Sequence, residues 1–285
     1  MSRAGPRLSV CTGMLDVLPL EDVFALVRNA GLDAVELLGE PRAYDADWLE
    51  RALRDYGLGV TGLTAAGRLP SGRDIAHPDA AIRDLTVQHF LECLELAAQL
   101  EAPFVAVPPS AVGRHWLEAD REVEWGWAVD ALAYLAGEAA ARGIMLGIEI
   151  LNRYATPTVH SVEEALRMID DAGGGPIGIV IDLFHAAIEE RSVPEAIRTA
   201  GDRLVNVQVA DNTREGPGHG SIDFHAIAQA LADIDYRGSL ALEAFPRGCG
   251  AFPTLTGNRL EEATAYLAEL RPFFAALPID VSPVP

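Results

Sequence analysis

Ile177-Gly-Ile-Val-Ile-Asp182-Leu-Phe-His185-Ala-Ala-Ile-Glu-Glu190 is the stretch whose pattern decides the fold. Its first half is a β-branched apolar run bounded by Gly and Pro, which reads as a strand buried on both faces, as in a parallel sheet. A carboxylate and an imidazole follow at the strand's end, three residues apart. An ionised Asp at that place is costly to desolvate unless something cationic compensates it, and a metal ion would do so. The competing reading makes Asp182 the cap of the next helix and His185 a packed core histidine.

The same unit recurs along the chain as an amphipathic helix, a short Gly-containing turn and an apolar strand. Asn29-Ala-Gly31-Leu-Asp-Ala-Val-Glu-Leu, Asp55-Tyr-Gly57-Leu-Gly-Val-Thr, Ala141-Arg-Gly143-Ile-Met-Leu-Gly-Ile-Glu and Tyr236-Arg-Gly238-Ser-Leu-Ala-Leu-Glu are its clearest copies. Gly in that place suits the left-handed residue that ends a helix. The pattern predicts strands at 8–13, 34–38, 59–65, 104–109, 146–151, 177–183, 204–210 and 239–245, with the longest helices at 77–100 and 121–142. Eight strands alternating with helices predict an α/β fold, a single-domain (β/α)8 TIM barrel over residues 1–277, with 278–285 as an irregular tail. A doubly wound open sheet is the rival, but no GxGxxG follows the first strand.

Composition narrows the function. The 285 residues carry 22 basic and 42 acidic side chains, a net charge of −20, and none of the basic ones is lysine. Such a charge opposes nucleic-acid and anionic-membrane partners, and the lack of lysine excludes Schiff-base chemistry. Cys11, Cys93 and Cys249 are scattered and odd in number, which fits a reducing compartment rather than a disulfide framework. With no apolar run long enough for a signal peptide or a membrane span, the expected location is the cytoplasm.

In a barrel of this kind chemistry sits at the carboxyl ends of the strands. Glu149, Asp182, Gln208 and Glu243 all fall there, separated by 33, 26 and 35 residues, each close to one strand-plus-helix unit. Four oxygen-bearing side chains from four successive strands can therefore converge. Three carboxylates could not ionise together in a dry cleft without a cation. All-oxygen ligation suits a hard divalent ion, Mn²⁺ or Mg²⁺, with Co²⁺ as a further candidate.

Glu149-Ile-Leu-Asn-Arg-Tyr154, Asp182-Leu-Phe-His185, Gln208-Val-Ala-Asp-Asn-Thr-Arg214 with Pro217-Gly-His-Gly220, and Glu243-Ala-Phe together resemble the sugar isomerase/epimerase barrels of the xylose isomerase-like superfamily. The likeness is to ketose 3-epimerases of the D-tagatose/D-psicose type, with features of hydroxypyruvate isomerase. It implies that Glu149, Asp182, Gln208 and Glu243 hold the metal and that Glu149 and Glu243 also act as an acid/base pair on opposite faces of the substrate. It further implies that His185 and Arg214 bind substrate oxygens, and that the protein is a homo-oligomer, a dimer or tetramer. The implied reaction is isomerisation or epimerisation of a keto-sugar or small hydroxy-ketone through a metal-stabilised enediolate. Two departures stand out: Gln208 where the ketose epimerases usually carry His, and Ala155 where they place Glu.

Other readings compete. The same metal-enolate chemistry could serve a lyase or dehydratase, which the change at Ala155 motivates. A multinuclear zinc endonuclease needs more clustered histidines than the seven here. A non-catalytic sugar-binding barrel would not need the metal set. Gln208 could be a core amide bonded to backbone, and Arg214 a solvated loop cation. His219 reads as a turn residue, and His115 with Trp116 as candidate pocket lining by position alone. Trp125 and Trp127 read as packing or an oligomer contact, and Glu36 as either reaching the pocket or pairing with Arg42.

Overall fold

The structure, a computed structural model, describes residues 5–64, 72–249 and 255–281. Eight parallel strands close in sequence order: β1 (Arg7–Cys11), β2 (Ala34–Leu38), β3 (Gly59–Thr64), β4 (Phe104–Val107), β5 (Met145–Ile150), β6 (Ile177–Asp182), β7 (Leu204–Val209) and β8 (Ser239–Leu242), with β8 laid against β1. Around them run α1 (Leu20–Asn29), α2 (Ala46–Tyr56), α3 (Ala80–Gln99), α4 (Arg121–Arg142), α5 (Val162–Asp171), α6 (Leu183–Glu189), α7 (Val193–Ala200), α8 (Phe224–Asp233) and α9 (Asn258–Ala275). This is the (β/α)8 barrel that the repeating unit predicts, with an extra short helix, α6, between β6 and α7. Residue 65 of the expected third strand lies outside the described residues. Among the described residues no helix is long and apolar enough to cross a membrane.

Strand alternation divides the apolar residues into two cores. Leu146, Ile148 and Ile150 of β5, Ile177, Ile179 and Ile181 of β6, and Val207 and Val209 of β7 face outward into the layer beneath the helices. The intervening positions face the barrel axis. Phe104, Ala106 and Val180 pack together there, with Met145 and Val205 against them. Gly62 and Gly147 make room for that plug. A Cβ on Gly62 would enter the Phe104 ring, and one on Gly147 would lie 2.7 Å from Val180 Cγ2. Such overpacking costs about 1–3 kcal/mol. Above the plug the inward positions are polar: Glu36, Thr64, Glu149, Asp182, Asn206 and Gln208, all buried.

Asp45 caps α2 through its side chain, and Gly57 and Gly143 end α2 and α4 in the left-handed region. Gly31 does the same after α1, at φ 73°. Gly238 differs from expectation. The left-handed residue of that turn is Asp235, at φ 51°, and Gly238 is needed for space, since a Cβ there would meet the Val205 carbonyl oxygen at 2.6 Å. Residues 276–281 form no helix or strand, but Val281 is buried and its carbonyl accepts from Arg271 Nη1 at 3.1 Å. Residues 282–285 of the expected tail lie outside the described residues.

Candidate metal centre and active site

Register sets the level of each functional side chain. Asp182 on β6 pairs with Gln208 on β7, and Gln208 pairs with Ala241 on β8, so Glu243 emerges one pleat higher, just past the end of β8. Glu149 sits one residue from the end of β5. Glu149, Asp182 and Glu243 each bring an oxygen within 4.8 Å of the others. One cation with metal–oxygen bonds of about 2.1–2.5 Å can bridge such a span.

Hydrogen bonding shows which oxygens are spoken for. Asp182 does cap α6: its Oδ1 accepts from the amides of Phe184 at 2.8 Å and His185 at 3.4 Å. Its Oδ2 faces the site, where Arg214 Nη1 donates to it, so capping and site membership use different atoms of one carboxylate. Among the described residues the Gln208 side chain is not bonded to backbone; its Nε2 donates to Glu36 Oε1 at 2.9 Å. Of the four buried side-chain oxygens without a hydrogen-bond donor among the described residues, three belong to this cluster: Glu149 Oε2, Gln208 Oε1 and Glu243 Oε2. Buried acceptors are normally satisfied. Orphaned oxygens at the ends of β5, β7 and β8, with Asp182 on β6 among them, fit the donor set of a hard divalent cation.

Arg214 lies inside the cluster rather than in solvent. Its Nη1 donates to Asp182 Oδ2, and its Nη2 lies 3.2 Å from Glu243 Oε2 without hydrogen-bond alignment. The guanidinium packs over the Phe184 ring at 4.9 Å and the Phe245 ring at 5.7 Å. Its backbone is left-handed, at φ 67°, an arrangement that costs a non-glycine residue about 1–2 kcal/mol. The loop enforces it: the Arg214 amide donates to Asp211 O at 2.9 Å, and its carbonyl accepts from Phe245 N at 2.7 Å. The Asp211 carboxylate, which accepts from Asn212, Gly218 and Ile222 amides, knits the same turn. Gly220 is required there, because a Cβ would collide with the Asp211 and Asn212 side-chain oxygens. His219 lies outside the centre, 2.9 Å from Glu269.

Electrostatics follow from burial. Desolvation, reinforced by the neighbouring carboxylates, pushes Glu149 well above the usual carboxylate range. Burial also pushes Glu243 up to about 8, with Arg214 opposing and the Asp182 and Glu36 charges adding to it. Asp182 goes the other way: burial would raise it, but Arg214 and His185 outweigh that and hold it low. Burial lowers His185 to about 4, so the imidazole is neutral near pH 7. Its Nδ1 accepts from the Asn152 amide at 3.1 Å. The ring proton is therefore on Nε2, which lies 3.8 Å from Asp182 Oδ2 and can donate to a substrate oxygen.

These groups open into a cavity of about 310 Å³ whose wall includes Glu149, His185, Arg214 and Glu243, with Leu151, Ala155, Phe184 and Phe245 making much of the rest apolar. Val112 and Gly113 line it from the loop after β4; His115 does not, and Trp116 is exposed. Trp125 is packing: it is buried, donates to Asp171 Oδ2 at 2.8 Å and carries Arg167 over its ring. Trp127 lies under Arg83. Arg42 pairs with Glu92, not with Glu36. Glu36 instead points inward, as the alternation of Ala34 and Glu36 against Val35 and Leu37 would have indicated. Sequence reasoning also passed over Asn206, which shares the inward face of β7 with Gln208.

Residues 24–273 match the xylose isomerase-like TIM barrel family. The L-ribulose 3-epimerase of Mesorhizobium japonicum is 33% identical over 246 residues, covering 86% of this chain and 82% of that protein. The 2-oxo-tetronate isomerase of Pectobacterium atrosepticum is 31% identical over 258 residues, covering 85% of this chain and 93% of that protein. A solved structure of an L-ribulose 3-epimerase superposes with a TM-score of 0.79 at 26% identity, over 98% of this chain and all of that one. By family match, sequence identity and barrel topology, this chain belongs to the xylose isomerase-like TIM barrel family.

Proposed function

We propose that the chain is a divalent-metal-dependent epimerase or isomerase of a small keto-sugar or hydroxy-ketone. The observation that carries this reading is the set of donor-less buried oxygens on Glu149, Gln208 and Glu243 around Asp182. These four would hold the ion, with Mn²⁺ or Mg²⁺ favoured by the all-oxygen set and Co²⁺ a further candidate. When bound, the ion supplies positive charge to stabilise the enediolate formed as a substrate α-proton leaves.

Glu149 lies near the end of β5 and Glu243 just past the end of β8, with β6 and β7 between them, so a substrate in the cavity would have a carboxylate on either side. One carboxylate removes the proton from one face of the carbon, and the other, protonated, returns a proton to the opposite face. The carbon is inverted and no mass is lost. His185 donates from Nε2 to the carbonyl oxygen as charge develops there. Arg214 binds a neighbouring substrate oxygen while its aromatic neighbours hold the guanidinium plane. Among the described lining residues Arg214 is the only arginine, and it already faces two carboxylates, which favours an unphosphorylated substrate. The relatives named epimerase and isomerase support this reading over elimination.

We also propose residues 1–277 as the catalytic unit with 278–285 as an extension, a cytoplasmic location, and a homo-oligomer, for which light scattering is the direct measurement. Activity is tested by incubating the Mn²⁺-loaded protein in D₂O with free ketoses, hydroxypyruvate and 3-keto-glycosides. Deuterium at the carbon next to the carbonyl, with the substrate skeleton intact, is the expected result. Products of lower mass would point to a lyase, and no exchange across the panel would defeat the reading.

A further inference from the structure

Glu36 is fully buried on the inner face of β2, and none of the roles above uses it. Its Oε1 accepts from Thr64 Oγ1 and from Gln208 Nε2 at 2.9 Å, and its Oε2 accepts from Asn206 Nδ2 at 2.5 Å. Asn206 is oriented in turn by Ser239, whose hydroxyl donates to its Oδ1 at 2.5 Å. The network therefore runs across the barrel interior from β2 to β3, β7 and β8. A carboxamide has one donor end and one acceptor end, and Glu36 can tell them apart. Turned the other way, Gln208 would set its Oε1 against a carboxylate oxygen, acceptor against acceptor, and leave its Nε2 without that partner. With Nε2 held, Oε1 faces away from Glu36, and it is this oxygen that has no donor.

We propose that Glu36 is a positioning residue that fixes the Gln208 carboxamide with its oxygen turned toward the metal set. The centre's neutral ligand is then oriented from across the barrel, by a side chain that never touches the ion. This rests on the metal reading above. A carboxylate behind a neutral ligand both fixes its orientation and raises its basicity, and losing such a partner typically costs about 10–100-fold in metal affinity.

The test is calorimetric titration of Mn²⁺ into the metal-stripped full chain, for wild type, E36Q, E36M, Q208A and E36M/Q208A. E36M removes both acceptors and should weaken Mn²⁺ binding about 10–100-fold. E36Q keeps an acceptor for Gln208 Nε2, because its own amide can turn and Asn206 can reorient, so it should stay within about threefold of wild type. If Glu36 acts through Gln208, adding E36M to Q208A should cost less than about twofold more, since coupled residues are not additive. Unchanged binding in E36M, or losses that multiply fully in the double variant, would overturn the proposal. Should melting in EDTA show E36M unfolded, T64V carries the same cycle: a loss of severalfold alone and none in the Q208A background. Wild type that holds no Mn²⁺ would instead bring down the metal reading itself, so the two failures are distinguishable.

Discussion

Metal uptake should expel protons, and the pH at which it does so is set by burial. Glu243 sits at about 8 and Glu149 is also raised, burial being the largest cause for both. Near pH 6.5 the metal-free centre therefore holds a proton on Glu243, with Glu149 shifted in the same direction, while ligation favours the ionised forms. For each proton released, the apparent Mn²⁺ association constant should rise about tenfold per pH unit. Glu243 alone thus gives about fiftyfold between pH 6 and 8, because the slope flattens as pH reaches its own value, near 2.3 kcal/mol at about 1.36 kcal/mol per unit; release from Glu149 as well would steepen the slope. Stability of the metal-free fold should run oppositely. Both groups are raised above the unfolded value of about 4.3, so the contribution of Glu243 is present below pH 4 to 5 and is lost as pH climbs through 8, and that of Glu149 changes in the same direction. Calorimetry in two buffers of different ionisation enthalpy counts the protons, and melting curves in EDTA and in Mn²⁺ follow the crossover. A pH-independent affinity from 6 to 8 with no buffer-dependent heat would refute the reasoning.

Three further outcomes follow from the site. E149Q and E243Q should each slow exchange of the substrate α-proton with D₂O by about 10²–10⁴-fold; wild-type exchange rates in both would end the assigned acid/base roles. H185L removes the Nε2 donor and should lower kcat by about 10²–10³-fold with a smaller change in KM, and steady-state kinetics showing normal turnover would contradict it. R214M strips the cation from two buried carboxylates, so the metal-free protein should lose about 3–5 kcal/mol in urea unfolding, part of it restored by Mn²⁺. Equal stability of mutant and wild type in EDTA would show that Arg214 does not compensate the centre.

The barrel was legible because its outer core repeats. Each outward triplet, such as Ile177, Ile179 and Ile181, is buried beneath helices and keeps an apolar signature that sequence alone displays. Strand ends were read less well. The expected β8 ran to residue 245, but the ladder stops at Leu242 while Ala244 and Phe245 remain buried. Apolar pattern reports burial, whereas a strand ends where its ladder bonds end, and the two part company at the rim of a cavity. Glu149, Asp182, Gln208 and Glu243 were visible because they recur at the unit's own spacing. Glu36 was left with two readings, because an acidic residue six positions from Arg42 suggests a local pair as readily as a place in the pocket, and only its inward register decides between them.

The least legible feature is the choice of Gln at 208, and the barrel interior supplies its reason. On the proposed metal reading, a ligand at this position would serve two sides at once: it would donate backward to Glu36 and present a lone pair forward to the centre. Glutamate fails the first demand, since its carboxylate would face Glu36 where a donor now stands at 2.9 Å, adding a fourth acidic group beside the Glu149, Asp182 and Glu243 cluster. Leucine fails both. Glutamine meets them with the two ends of its amide, and histidine, the residue that resembling epimerases place here, can meet them with the two nitrogens of its ring. If Gln208 is a ligand as proposed, the departure at 208 exchanges one neutral, two-ended donor for another, and what it alters is the hardness of the forward atom, oxygen in place of nitrogen.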